Sequence, residues 1–190
     1  EQHRMTDIID RLPADSFKTM RSRLLVVVLY YCGLRSSEVC SLRVSDINLD
    51  RRYMIVHGKG SKDRYVPFVP FVTDEIRRYL AYSRIFFSCD KEYLFLTSDG
   101  APFQTYHVRW SVLYALKPFV PRALCHPHCL RHSFATALIN NGASLLSISR
   151  LLGHASVATT EIYTHVNYTD LKQQYEQVFC KIQQRRDVRR

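Results

Sequence analysis

The sequence predicts an α+β fold, mainly α-helical with a small antiparallel β-sheet or hairpin. Three observations carry this. Apolar residues recur at helical spacing in segment after segment, residues 53–69 alone combine strand patterning with a glycine-rich turn, and 190 residues suffice for one domain with a substantial core, or one domain plus a tail.

In chain order, residues 4–11 read as a short helix broken by Pro13, and Ser16 or Thr19 can cap the next, over roughly 17–32. Its LLVVVLYY run is apolar on nearly every face, which predicts a central, buried helix. That helix stops at Cys32-Gly33-Leu34, and Arg35 follows. An arginine there either caps the last carbonyls or delivers charge to a site, and Glu38, three residues on, can hold its guanidinium. Residues 36–43 predict a further turn or two, with Val39 and Leu42 inward. Residues 53–56 and 64–68 flank a Gly-Lys-Gly-Ser-Lys-Asp turn, a hairpin in which Pro67 suits an edge strand. Lys59 lies between two glycines, where the backbone can approach a phosphate closely; a solvated turn lysine is the plainer alternative. Lys62 and Arg64 add charge to the same loop. Thr73 is expected to cap a helix running to about residue 85, with Asp74 and Glu75 in its first turn. Residues 93–96 suggest a short strand, and 103–116 a helix whose His107, Arg109 and Trp110 could touch a nucleic acid or pack.

The stretch 125–165, CHPHCLRHSFATALINNGASLLSISRLLGHASVATTEIYTH, holds five of the eight histidines. Leu130, Phe134, Leu138 and Ile139 predict a core-facing helix that stops at Asn141-Gly142. His128 and Arg131, at i and i+3, can present both side chains to one target. Leu145, Leu146, Ile148, Leu151 and Leu152 predict a second short helix ending at Gly153, with His154 directly after it. The Gly153 break would let His154 and Tyr163 aim at a common point, which one unbroken helix would not. Cationic side chains, imidazoles and a phenol around one point suit a phosphate under nucleophilic attack. His128 and His132 also have the spacing of a zinc pair, with Cys125 and Cys129 close in sequence, but the glutamate of HExxH and any CxxC are missing, so no metal site is assigned.

With 27 Lys+Arg against 17 Asp+Glu, the formal net charge of +10 favours a polyanionic partner. Six irregularly spaced cysteines without a signal peptide read as reduced thiols in a cytoplasmic protein, and the longest apolar run is too short for a bilayer. Residues 168–183 predict an amphipathic helix with Leu171, Tyr175, Val178, Phe179 and Ile182 on one face, followed by basic RRDVRR. Such a helix either completes its own core or docks on a neighbouring molecule.

Taken together, CGLRSSEVCSL, GKGSKDRYVP, HPHCLRHSFATALINNG and LLGHASVATTEIYTH resemble, in order, the signature boxes of the tyrosine recombinases, the family of phage-type integrases and Xer-type recombinases. The resemblance covers about residues 1–180 and implies the family's catalytic-domain fold for 1–167. Residues 168–190 would be a C-terminal helix and basic tail exchanged between protomers. It implies catalytic roles for Arg35, Lys59, His128, Arg131, His154 and Tyr163, with Glu38 as acidic neighbour of Arg35, and Lys62 and Arg64 are further candidates for DNA contact. Tyr163 would attack a DNA phosphate to give a 3′-phosphotyrosyl enzyme and a free 5′-hydroxyl. Covalent storage of the phosphoester makes any cofactor unnecessary. The implied partner is double-stranded DNA, bound by a homotetramer across two duplexes, with a monomer conceivable in isolation. The family's N-terminal helical domain, which clamps the other side of the DNA, is absent from these residues, so a fragment of a longer protein is expected.

Two other classes stand beside this reading. A DNA-binding protein of the same fold without cleavage would give no covalent adduct, and a metal-dependent nuclease built on His128, His132 and the nearby cysteines would be sensitive to chelators.

Overall fold

The computed structural model describes residues 2–58, 63–88, 91–153 and 165–187. Among these residues there are eight α-helices, α1 (Gln2–Arg11), α2 (Phe17–Cys32), α3 (Ser36–Ser41), α4 (Pro70–Phe87), α5 (Thr105–Leu116), α6 (Pro127–Asn140), α7 (Leu145–Leu152) and α8 (His165–Asp187). Three strands, β1 (Ile47–Asn48), β2 (Tyr53–His57) and β3 (Asp63–Pro67), form one antiparallel sheet in the order β1-β2-β3. The predicted class holds. The hairpin gains a short third strand, and Pro67 lies on the edge strand as expected.

Helix α2 is the axis of the core. Ser16 caps it reciprocally with Thr19, the Thr19 amide donating to Ser16 Oγ and the Ser16 amide to Thr19 Oγ1. Residues 24–32 are then sealed on every side, against α4, α5 and α6. Each such apolar side chain contributes about 1.5–3 kcal/mol of burial. The helix ends at Gly33 in the left-handed region (φ 62°), where a Cβ would lie 2.4 Å from Phe134 Cδ1. Glycine is therefore required twice there, for the turn and for the close passage of α6.

Several elements differ from their sequence-based expectation, each for a physical reason. Pro70 at the first helical position starts α4 early, so Thr73 lies inside the helix, and Glu75 is buried against Arg23. Residues 93–96 form only the single bridges Arg43↔Tyr93 and Leu96↔Pro102 rather than a strand. Ile139, expected to face the core, is exposed, because α6 buries a narrower stripe than its composition suggests. Helix α8 completes the chain's own core: Phe179 stacks on Phe134 with ring centroids 5.5 Å apart, and Leu171, Tyr175, Val178 and Ile182 are buried beside it. Among the described residues no helix is long and apolar enough to cross a membrane.

Candidate functional site

Three helix ends and one strand meet at a single carboxylate. Arg35 is the N-cap of α3, and Glu38, at the third helical position, reaches back to accept from the Arg35 amide at 2.7 Å. The Arg35 guanidinium also donates to Glu38, Nη1 to Oε1 at 3.0 Å. From α6, Arg131 points toward the end of α2, with Nη1 donating to the Gly33 carbonyl and lying 3.9 Å from Glu38 Oε2. From β3, Arg64 grips both carboxylate oxygens, Nη1 to Oε1 at 2.7 Å and Nη2 to Oε2 at 2.9 Å.

The same three guanidiniums close the C-terminus of α7. Arg64 Nε donates to Leu151 O at 2.8 Å, Arg131 Nη2 to Leu152 O at 2.6 Å, and Arg35 Nη2 to Gly153 O at 3.1 Å. Three consecutive carbonyls at the negative end of a helix thus each receive one arginine. Gly153 is left-handed (φ 64°), and a Cβ there would stand 3.0 Å from Arg64 Nη1, so the glycine also makes room for the guanidinium.

The charges do not balance, since three guanidiniums surround one carboxylate. Burial alone would raise the Glu38 carboxyl, but hydrogen bonds and charge from Arg64 and then Arg35 outweigh it, and the group is held below its usual range. Burial, then the neighbouring charge of Arg35, push the Arg131 guanidinium down to about 10, which still leaves it cationic at neutral pH. Arg35 is the most open of the three, its side chain 39% exposed against 12% for Arg131 and 5% for Arg64. The arrangement can receive an anion from the solvent side of Arg35 while its other side is fixed.

Arg35, Glu38 and Arg131 are therefore brought together. His128 is exposed on the first turn of α6, one turn before Arg131. Lys59, Lys62, His154 and Tyr163 lie outside the described residues. Arg64 differs from its expected place as a charge on the hairpin loop: it is buried at the centre of the cluster. Period-two alternation carries the signal, since Arg64 shares the inward face of β3 with Val66. Sequence reasoning noted the charge and missed the face. On α5, Arg109 and Trp110 are exposed, whereas His107 accepts from the Gln104 amide at 2.9 Å as part of a cap. Among the described residues no three His, Cys, Asp or Glu side chains are grouped to hold a metal ion.

Residues 1–170 match the phage integrase family. The tyrosine recombinase XerC of Bacillus pumilus is 39% identical over 160 residues, which cover 82% of this chain and 52% of that protein. The chain thus spans about half the length of the curated relatives it matches. Among solved structures, the XerA recombinase aligns with a TM-score of 0.70 at 32% identity, covering 92% of this chain and 62% of that one. The XerH site-specific recombinase in its pre-cleavage complex with difH aligns at 0.72 and 27% identity, covering 93% and 52%. With the family matched over most of its length and the arginine centre built on the boxes that suggested it, the chain belongs to the phage integrase family of tyrosine recombinases.

Proposed function

We propose that this chain is the catalytic part of a site-specific DNA recombinase that breaks and rejoins strands through a 3′-phosphotyrosyl intermediate. The observation that carries the reading is the cationic surplus around Glu38, built on the last carbonyls of α7, directly ahead of His154 and ten residues ahead of Tyr163. Arg35 and Arg131 would hold the nonbridging oxygens of the scissile phosphate and stabilise the charge that builds as Tyr163 attacks. Lys59, protonated at neutral pH, would donate to the leaving 5′-oxygen, and His128 and His154 would share proton transfer and phosphate contact. Integration, excision and dimer resolution all use this chemistry. DNA is the substrate on this reading, in keeping with a net charge of +10 and with a relative solved in complex with difH. By resemblance the working assembly is a homotetramer on two duplexes. Exchange of α8 would offer a neighbour the same apolar face that here covers its own core.

The test is covalent capture on nicked duplexes with randomised target sequence. Their broken strand lets the 5′-hydroxyl product diffuse away and traps the enzyme on the 3′ end. Mass spectrometry should place the DNA on Tyr163, and Tyr163→Phe should yield no adduct. Capture through another residue, or none from the wild type, would overturn the reading.

A further inference from the structure

We propose that Arg64 is a positioning residue of this site, the buried counter-ion that keeps Glu38 from drawing Arg35 and Arg131 away from the bound phosphate. The proposal deepens the recombinase reading and rests on it. A carboxylate has two oxygens, and the planar guanidinium fork of Arg64 takes both. Arg131 is left 3.9 Å away, and Arg35 shares only Oε1 with its side chain. Without Arg64 the carboxylate would have two remaining cations to satisfy it, the same two that face the substrate. The charge left over would fall from two to one, and that one would be divided.

The third donor direction of Arg64 gives the residue its reach. Nε holds Leu151 O, next to the carbonyls held by Arg131 and Arg35. One side chain thereby ties the strand that leads from the Lys59 hairpin to the start of α3 and to the end of α7. The side chain is 5% exposed and has all three nitrogens engaged, so it acts through its neighbours and does not touch DNA.

Three variants test this: Arg64→Met, Arg64→Lys and the double variant Arg64→Met/Glu38→Gln, each first checked for a cooperative melt. On the captured duplexes, Arg64→Met should bind DNA within about twofold of wild type yet cleave at least about tenfold more slowly. Removing the carboxylate as well should restore much of the rate, because Arg35 and Arg131 then have no competing anion. Arg64→Lys, which keeps the charge but cannot span two oxygens and a carbonyl, should fall between wild type and Arg64→Met. A scissile methylphosphonate carries no charge on its nonbridging atoms, so the Arg64→Met defect should shrink on it; a merely structural role would leave the defect unchanged. Inorganic tungstate gives a readout independent of cleavage: it should raise the melting temperature of wild type and do so much less in Arg64→Met. An equal tungstate shift, or a double variant no faster than the single, would overturn the role of Arg64. Absence of a wild-type adduct alongside a lost tungstate shift would instead overturn the recombinase reading and leave Arg64 as the organiser of an anion site.

Discussion

Among the described residues two buried carboxylates are gripped by arginine forks, and they do opposite things. At Glu75, Arg23 donates Nε to Oε2 at 2.8 Å and Nη2 to Oε1 at 3.0 Å, while its Nη1 serves the Ile9 and Leu12 carbonyls at the end of α1. Both side chains are almost fully buried, and Arg78 touches from the rim at 3.7 Å. One carboxylate meets one enclosed guanidinium, and the pair pins α1, α2 and α4 together. At Glu38 the fork is again bidentate, through Nη1 and Nη2 of Arg64 rather than Nε and Nη2, but two more guanidiniums converge and one opens to solvent. Burial is alike in both places, and in each one guanidinium holds both carboxylate oxygens. Charge stoichiometry and a solvent face are what separate a structural lock from a place that receives an anion.

The sharpest way to break that comparison is to delete one arginine from each. Arg35→Ala should slow adduct formation by about 10²–10³-fold, the loss typical of removing one donor to a developing oxyanion. Its melting temperature should move little, because a partly exposed ion pair contributes little to stability. Arg23→Ala should invert the pattern, since it strands the buried Glu75 carboxylate at a cost of about 3–5 kcal/mol. The folded fraction that survives should cleave at the wild-type rate per molecule. Parallel losses of stability and rate in both variants would erase the distinction. Acid probes the Glu38 carboxylate directly. The Glu38 carboxyl is held below its ordinary range, so its contribution is present above the unfolded value and is lost as pH falls through the folded one. A pH-melting series should show an acid limb below about pH 4.3 that is weaker in Glu38→Gln, a variant less stable at neutral pH.

A smaller effect probes the frame that carries the arginines. Gly33→Ala and Gly142→Ala both place a side chain at positive φ, but Gly142 has nothing within 4 Å whereas Gly33 faces the Phe134 ring. Gly142→Ala should cost about 1 kcal/mol in chemical denaturation, and Gly33→Ala a further 1–3 kcal/mol from overpacking. The Gly33 carbonyl accepts from Arg131, so that variant should also lose cleavage rate. Equal stability of the two would mean that α6 yields without strain.

What could be read in the sequence follows the range of the interactions involved. The caps at Ser16, Gly33 and Gly153 and the buried run of α2 are local, and each was legible as a residue type at a spacing. Arg35 and Glu38 lie three residues apart, so their pairing was legible too. The bond from Arg64 to Glu38 crosses 26 residues and those from the arginines to α7 cross between 21 and 118, distances over which no periodicity speaks. Apolar composition misled at Ile139, because a helix packed on one side buries only the residues that face it, and composition does not name the side. Thr73 misled because the proline that starts α4 three residues earlier is the stronger signal.

The smallest predicted effect lies at a third, exposed cluster, which tests whether surface charge matters to the same hairpin. His57, the last residue of β2, has Nδ1 3.0 Å from Asp63 Oδ1 directly across the strands and Nε2 3.3 Å from Asp46 Oδ1 in the turn before β1. Hydrogen bonds to Asp63 and then Asp46 raise its pKa, because only the imidazolium can donate to both carboxylates at once. The contribution to stability is therefore complete below the unfolded value near 6.5 and fades as pH rises through the higher folded value. Half-exposed pairs are worth at most about 1 kcal/mol, so the melting temperature should drop only slightly across this window, and His57→Gln should remove the step. The same titration bears on function, since His57 is two residues from Lys59 and closes the root of its hairpin. A cleavage–pH profile that loses a shallow alkaline decline in His57→Gln would tie hairpin order to rate. Identical profiles would mean that the charge on His57 plays no part in ordering the hairpin for cleavage.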